Sequence, residues 1–176
     1  MSNFDLASYT RQGKTFVAAN VAAKSVIAVT TAMTGVILHN PTGSGKKILI
    51  AKVGWAWTTT PAAVHNLGLA LAAPHATAPA TLTAIGSGVL NADGSGAATS
   101  AVGRAYDAAT LPAAPVSVMW WGGAAFSGTA ATTGPFSITE DIDGAIALVP
   151  GATLTFSAVT TTMVGLGSVM WVEVPV

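Results

Sequence analysis

The sequence predicts an all-β protein, one antiparallel sandwich of about eight strands. Three observations carry this. From Val26 onward, short runs of Val, Ile, Leu, Thr and Trp recur at spacings of roughly 8–12 residues, separated by Gly, Pro, Asn and Asp clusters. No long segment places apolar residues at the period of a helix facing a core. Leu154, Phe156 and Ala158 alternate with Thr153, Thr155 and Ser157, the two-residue period of a strand with distinct faces.

Met1 to Asn20 differ from the rest of the chain. They hold Asp5, Arg11 and Lys14 with scattered aromatics (Phe4, Tyr9, Phe16) and no clean period. Such termini are disordered unless docked on something, so a floppy tail and an arm that orders against a partner are the two readings. Residues 1–20 are expected to form an N-terminal arm, with Phe4, Tyr9, Arg11 and Phe16 as its anchoring side chains, and residues 21–176 the β-domain. Removing Met1–Asn20 is then expected to leave that domain folded.

The first pair of strands is Gly35–His39 and Lys47–Thr59, joined by Asn40-Pro41-Thr42-Gly43-Ser44-Gly45, whose residues favour a tight hairpin turn. In the second strand, Leu49, Ala51, Val53, Trp55 and Trp57 are expected on one face and Ile48, Ile50, Lys52 and Ala56 on the other. Pro61 breaks the run, and Val64–Ala72 comes next with Leu67, Leu69 and Leu71 aligned. Ala73–Thr99 is a long Ala-, Pro-, Thr- and Gly-rich excursion, with a short helical turn expected near Leu82–Ile85. Further strands are expected at Ala101–Tyr106, Val116–Trp121, Phe136–Thr139, Ile146–Val149, Leu154–Val159 and Val169–Val174. No internal repeat is apparent.

Composition narrows the function. Of 176 residues, 51% are hydrophobic and 8% charged, and Ala supplies about a fifth, against roughly 25% charged in ordinary domains. Mean hydropathy is +0.60, which raises the membrane question. The longest apolar stretch, Ser25–Leu38, is interrupted by Thr30, Thr31, Thr34 and Gly35 and is too short for a spanning helix. A porin-type barrel needs more strands with polar inward faces. No membrane association is expected. Met1-Ser2-Asn3-Phe4-Asp5 has no basic start leading into an apolar core, so no secretory signal is expected. Seven basic and seven acidic residues give zero formal charge. With no basic run to neutralise phosphates, no nucleic-acid partner is expected. Zero Cys excludes disulfides and thiolate chemistry.

The motifs that could carry chemistry fall short. Gly43-Ser44-Gly45-Lys46 resembles a phosphate loop, but Asn40 and Lys47 stand where that motif needs Gly and a hydroxyl, and a strand comes after it. Asp141-Ile142-Asp143-Gly144 resembles half a calcium loop without its distal Glu, so an Asp-Gly turn is the leading reading; with Glu140 it makes the one acidic cluster, whose alternative is a weak cation site. His39, His65 and His75 have no companion at ligand spacing and no neighbouring carboxylate. Gly86-Ser87-Gly88 and Gly94-Ser95-Gly96 are flexible loops, with no nucleophile elbow around them. No catalytic residues, metal or cofactor are expected, and the chain is not expected to be an enzyme. Trp55 and Trp171 read as core. Trp120 and Trp121 are adjacent in one strand and must face opposite ways, which makes them candidates for a subunit interface.

Val36-Ile37-Leu38-His39-Asn40-Pro41-Thr42-Gly43-Ser44-Gly45-Lys46-Lys47-Ile48-Leu49-Ile50 resembles a phrase of small tailed-bacteriophage virion proteins. So do Val149-Pro150-Gly151-Ala152-Thr153-Leu154-Thr155-Phe156 and the ending Met170-Trp171-Val172-Glu173-Val174-Pro175. The resemblance covers about Val36–Lys52 and Val149–Val176, and the Ala-rich middle departs from it. It implies a jelly-roll-like domain, a homotrimer, that decorates or cements the capsid or forms a head fibre. The partners would be the major capsid protein or other virion proteins, and the location the capsid surface after synthesis in the host cytoplasm. The alternative expectation is a receptor- or glycan-binding module of a fibre or tail, presented by Ala73–Thr99 and Gly122–Gly134.

Overall fold

A computed structural model describes residues 4–59, 66–121, 137–159 and 163–176. The fold is an all-β sandwich of two antiparallel sheets. In chain order the elements are α1 (Leu6–Arg11), β1 (Thr15–Ala19), β2 (Lys24–Val26), β3 (Ala32–His39), β4 (Lys46–Trp57), β5 (Leu67–Ala72) and β6 (Ala80–Ala84). Next come β7 (Leu90–Asn91), β8 (Arg104–Thr110), β9 (Val116–Trp120), β10 (Ser137–Asp141), β11 (Ala147–Leu148), β12 (Thr153–Ala158) and β13 (Met163–Pro175). The first sheet runs β10-β4-β13-β1-β7, with β11 also on β4 and β2 on β13. The second runs β6-β8-β3-β12-β5-β9.

Thirteen strands among the described residues exceed the eight expected. The extra ones are short or lack alternation (β1, β2, β6, β7), so distant partners rather than local pattern make them strands. The expected helical turn near Leu82–Ile85 is instead β6 leading to a buried Ile85. The start of the expected strand at Val64 and His65, with Phe136 and the loop Gly122–Gly134, lie outside the described residues.

The N-terminal boundary moves. Thr15–Ala19 is no arm but a strand between β13 and β7, with Phe16 opposite Trp171. Phe16 is 1% exposed and its ring lies 6.0 Å from that of Trp171. An anchoring role for Phe16 on an outside partner is thereby overturned: burial between the sheets already satisfies its apolar surface.

The strand β4 corrects a second expectation. Ile48 and Ile50 share the core with Val53, Trp55 and Trp57. On β13, Met170 pairs with Lys52 and Trp171 with Ile50, so Ala51 is an extra residue, a β-bulge that reverses the alternation. Its carbonyl accepts the backbone N–H groups of Ile142 and Asp143 at 2.8 and 3.0 Å. The strand therefore keeps an apolar inner face along its whole length although its sequence changes phase.

Chain-adjacent strands switch sheets. β3 lies in the second sheet and β4 in the first, so Asn40–Gly45 is an arch over the end of the core and not the hairpin expected. Its Ser44 N–H donates to the Pro41 carbonyl at 3.1 Å. The core between the sheets holds Trp55 and Phe156 (rings 5.6 Å apart), Trp171, Leu38, Leu67 and Leu69. The far face of β12 is closed off too: Thr153, Thr155 and Ser157 are buried, and Met33, Ile37, Ala72, Ala109 and Leu111 form a second apolar cluster.

Candidate functional site

The charged groups of an apolar chain show where the fold needs them. Glu173 lies in β13 with 2% exposure. Its carboxylate accepts the backbone N–H groups of Val102 (2.9 and 3.0 Å) and Gly103 (2.8 Å), and the indole N–H of Trp171 (3.3 Å). Lys46 Nζ completes the set at 3.0 Å. A buried carboxylate is tolerable only when its lone pairs are occupied, as here. The result ties β13 of the first sheet to the segment entering β8 of the second. Gly103 has no side chain because a Cβ there would stand 3.0 Å from the Trp171 indole nitrogen and 3.1 Å from Ile48.

Asn40 packs beside this tie, wholly buried. Its side-chain amide donates to the carbonyls of Lys46 and Leu148, both at 2.8 Å, and its backbone N–H and C=O pair with Ala152 (3.0 Å) and Gly151 (2.7 Å). Asn40-Pro41 to Lys46, Val149 to Ala152 and Trp171 to Glu173 thus meet at one end of the sandwich.

His39 is buried next to Asn40, its Nδ1 3.0 Å from Thr153 Oγ1. Burial holds its pKa below the usual 6.5, opposed by a backbone hydrogen bond with Ala152. The folded protein therefore takes up the His39 proton at a lower pH than the unfolded chain, whose ring titrates near its ordinary 6.5. Stability is therefore complete above that pH and falls as the pH drops toward the lowered folded value, with a slope of at most about 1.4 kcal/mol per pH unit for one proton. Urea midpoints at pH 7.5 and 5.5 should differ in the wild type by more than in a His39→Gln variant.

Asp107, 6% exposed in β8, makes a second tie toward the other end of β13. It accepts a hydrogen bond from the Asn20 side-chain amide at 2.7 Å and pairs with Lys24 at 3.0 Å. Asn20 in turn accepts the Gly167 N–H at 3.0 Å. None of Glu173, Asp107, Asn20 and Asn40 stood out as a functional residue in the sequence. The one signal was a lone carboxylate inside an apolar strand, which marks a buried partner.

The candidate interface tryptophans part company. Trp121 turns inward, its ring 6.1 Å from Phe156 and its buried indole N–H without a hydrogen-bond partner among the described residues. Trp120 stays 44% exposed and lies across Gly68, where a Cβ would come 2.5 Å from the ring. β9 pairs with β5 on one side and has no strand on the other among the described residues. It carries no charge, and Val116 (69%) and Val118 (48%) are exposed beside Trp120. Trp120 and not Trp121 is therefore available to a partner. Of the arm residues, Phe4 and Tyr9 have ring centres 5.8 Å apart with planes tilted by 39°, and Arg11 is exposed at the end of α1.

A shallow trough of about 340 Å³ crosses the first sheet, lined by Gly54, Ala56, Thr139, Leu166 and Ser168 among others. Gly54 and Ser168 are its floor, since a Cβ on Gly54 would stand 2.8 Å from Ser168 Oγ. The acidic turn does not gather on one point: Asp141 pairs with Lys52 at 2.8 Å, and Asp143 and Gly144 adopt positive φ (50° and 78°) in a tight turn. Among the described residues, no three His, Asp or Glu side chains are placed to hold a metal, and no helix is long and apolar enough to cross a membrane. Comparison with family models, curated proteins and solved structures finds no match to this chain.

Proposed function

We propose that this protein is a structural subunit of a tailed-bacteriophage particle, of the capsid-decoration or head-fibre type, that assembles as a trimer and binds the major capsid protein. The observation that carries the reading is β9: an edge strand without charge, with no strand beyond it among the described residues, presenting Trp120, Val116 and Val118. Natural sheets guard free edges with charge or proline because open backbone groups and apolar side chains invite pairing. β10, an edge of the other sheet, has Glu140 and Asp141. An unguarded edge with an exposed indole suits permanent coverage by another subunit, and exposed tryptophans are frequent hot spots of such contacts. The near absence of charge removes the desolvation cost of burying ions there. The phrases resembling virion proteins supply the rest, and in the fold they are the residues that lock one end of the sandwich.

Light scattering on the purified protein is expected to give three times the subunit mass at micromolar concentration. Trp120→Ser should weaken association at least about thirtyfold, an interface hot spot's loss of roughly 2 kcal/mol, without lowering the unfolding midpoint of the subunit. A wild-type monomer would count against assembly. Capsids lacking the protein should bind it at saturable, regular sites; absence of such binding would reject the particle role.

A further inference from the structure

We propose that residues 4–13 form a latched arm: Phe4, seated on the Asp143–Gly144 turn, holds the segment against its own subunit, and on release the segment pivots at Gly13 to engage a neighbouring protein subunit. The second half rests on the particle reading above; the latch itself does not.

The hydrogen bonds of this segment close on themselves. Asp5 caps α1 by accepting the Ser8 N–H at 3.0 Å. Tyr9 N–H donates to Asp5, Gln12 to Ser8, Gly13 to Thr10 and Lys14 to Tyr9. The side chain of Thr10 donates to the Leu6 carbonyl and accepts from the Thr15 hydroxyl, and that of Gln12 donates to Ser8 Oγ. Among the described residues, none of these bonds reaches past Thr15. The first tie to the body is the Lys14 carbonyl, which accepts the Glu173 N–H at 3.0 Å. A segment that satisfies its own backbone can leave a surface without stranding polar groups, which is the usual obstacle to detachment.

No residue of α1 is buried. Leu6 and Tyr9 are half-buried, and Phe4, half-buried as well, reaches to the Asp143–Gly144 turn, its ring covering Gly144 so closely that a Cβ there would stand 2.9 Å from Cδ2 and 3.2 Å from Cε2. One aromatic seat of this size shifts the docked population by on the order of tenfold to a hundredfold. Gly13 supplies the pivot: its φ is +65° and nothing lies within 4 Å of where a Cβ would be.

Limited trypsin digestion of the isolated full-length protein reads the latch, because Arg11 and Lys14 flank the pivot. Phe4→Ala should raise cleavage after Arg11 at least about tenfold and speed amide exchange at Tyr9 to Lys14, while unfolding stays cooperative and its midpoint falls by no more than the loss of docking accounts for. Gly144→Ala, which leaves Phe4 in place but fills its seat, should raise cleavage after Arg11 likewise, with an added loss of stability because Gly144 stands at φ +78°. Wild-type cleavage rates in Phe4→Ala would overturn the latch, as would a loss of cooperative unfolding, which would make Phe4 part of the body. Binding to capsids is scored separately. A wild-type protein that shows the latch but fails to bind them sinks the particle reading alone, and unchanged proteolysis with intact binding sinks the latch alone.

Discussion

Deleting residues 1–20 should abolish folding, whereas deleting residues 1–13 should leave the sandwich intact within about 1 kcal/mol. The difference is β1. Its loss removes Phe16 from against Trp171, Ala18 from the core, the pairing of β13 and β7 across it, and the Asn20 amide that Asp107 accepts. Phe16→Ala by itself is expected to cost about 4 kcal/mol, the usual penalty for emptying a buried aromatic site. Asp107 would in addition lose a partner inside the sandwich. The sum approaches the whole stability of a domain, about 5–15 kcal/mol. Chemical unfolding followed by Trp fluorescence checks it. A cooperative transition in the shorter chain lacking residues 1–20 would mean that β1 is dispensable.

Glu173→Ala should cost about 3 kcal/mol, more than any other single charge removal in the chain. The loss falls mainly on the donors left behind. The backbone N–H of Gly103 is buried and that of Val102 partly so, and neither finds another acceptor once the carboxylate is gone. Lys46 suffers less, since its side chain is about a third exposed and can turn to water. Glu173→Gln keeps one acceptor oxygen and should cost roughly half as much. Asp141→Ala is the contrast: its pair with Lys52 is exposed on both sides, where solvent and salt screen the attraction, and its removal should leave the midpoint almost unchanged. Urea midpoints of the three variants, compared at fixed pH, order these effects. Equal losses for Glu173→Ala and Asp141→Ala would mean that the tie does not hold the two sheets.

Much of the sandwich was legible from local pattern. The strands with strong alternation or long apolar runs, β3, β4, β5, β9 and β12, lie where the spacing of Val, Ile, Leu and Trp put them, within a few residues, and β13 contains its expected span but begins six residues earlier, at Met163. The core roles of Trp55 and Trp171 were legible as well. That Trp120 and Trp121 face opposite ways came from strand geometry, and which one faces outward did not. β1 was missed because Thr-Phe-Val-Ala-Ala carries no periodic signal; β6, Ala-Thr-Leu-Thr-Ala, does alternate, but it is short and lies in an Ala- and Pro-rich stretch, and the strand partners that order both are distant in sequence.

Composition and periodicity by themselves determined the class of this protein: a chain with so few ionisable groups and a two-residue apolar rhythm buries its mass in sheets. Only the tertiary structure decided which sheet each strand joins, where the bulge at Ala51 reverses a face, and why Glu173 and Asp107 are tolerated inside. Those choices depend on contacts between residues far apart in the chain, whose free energy exists only once the sheets have come together.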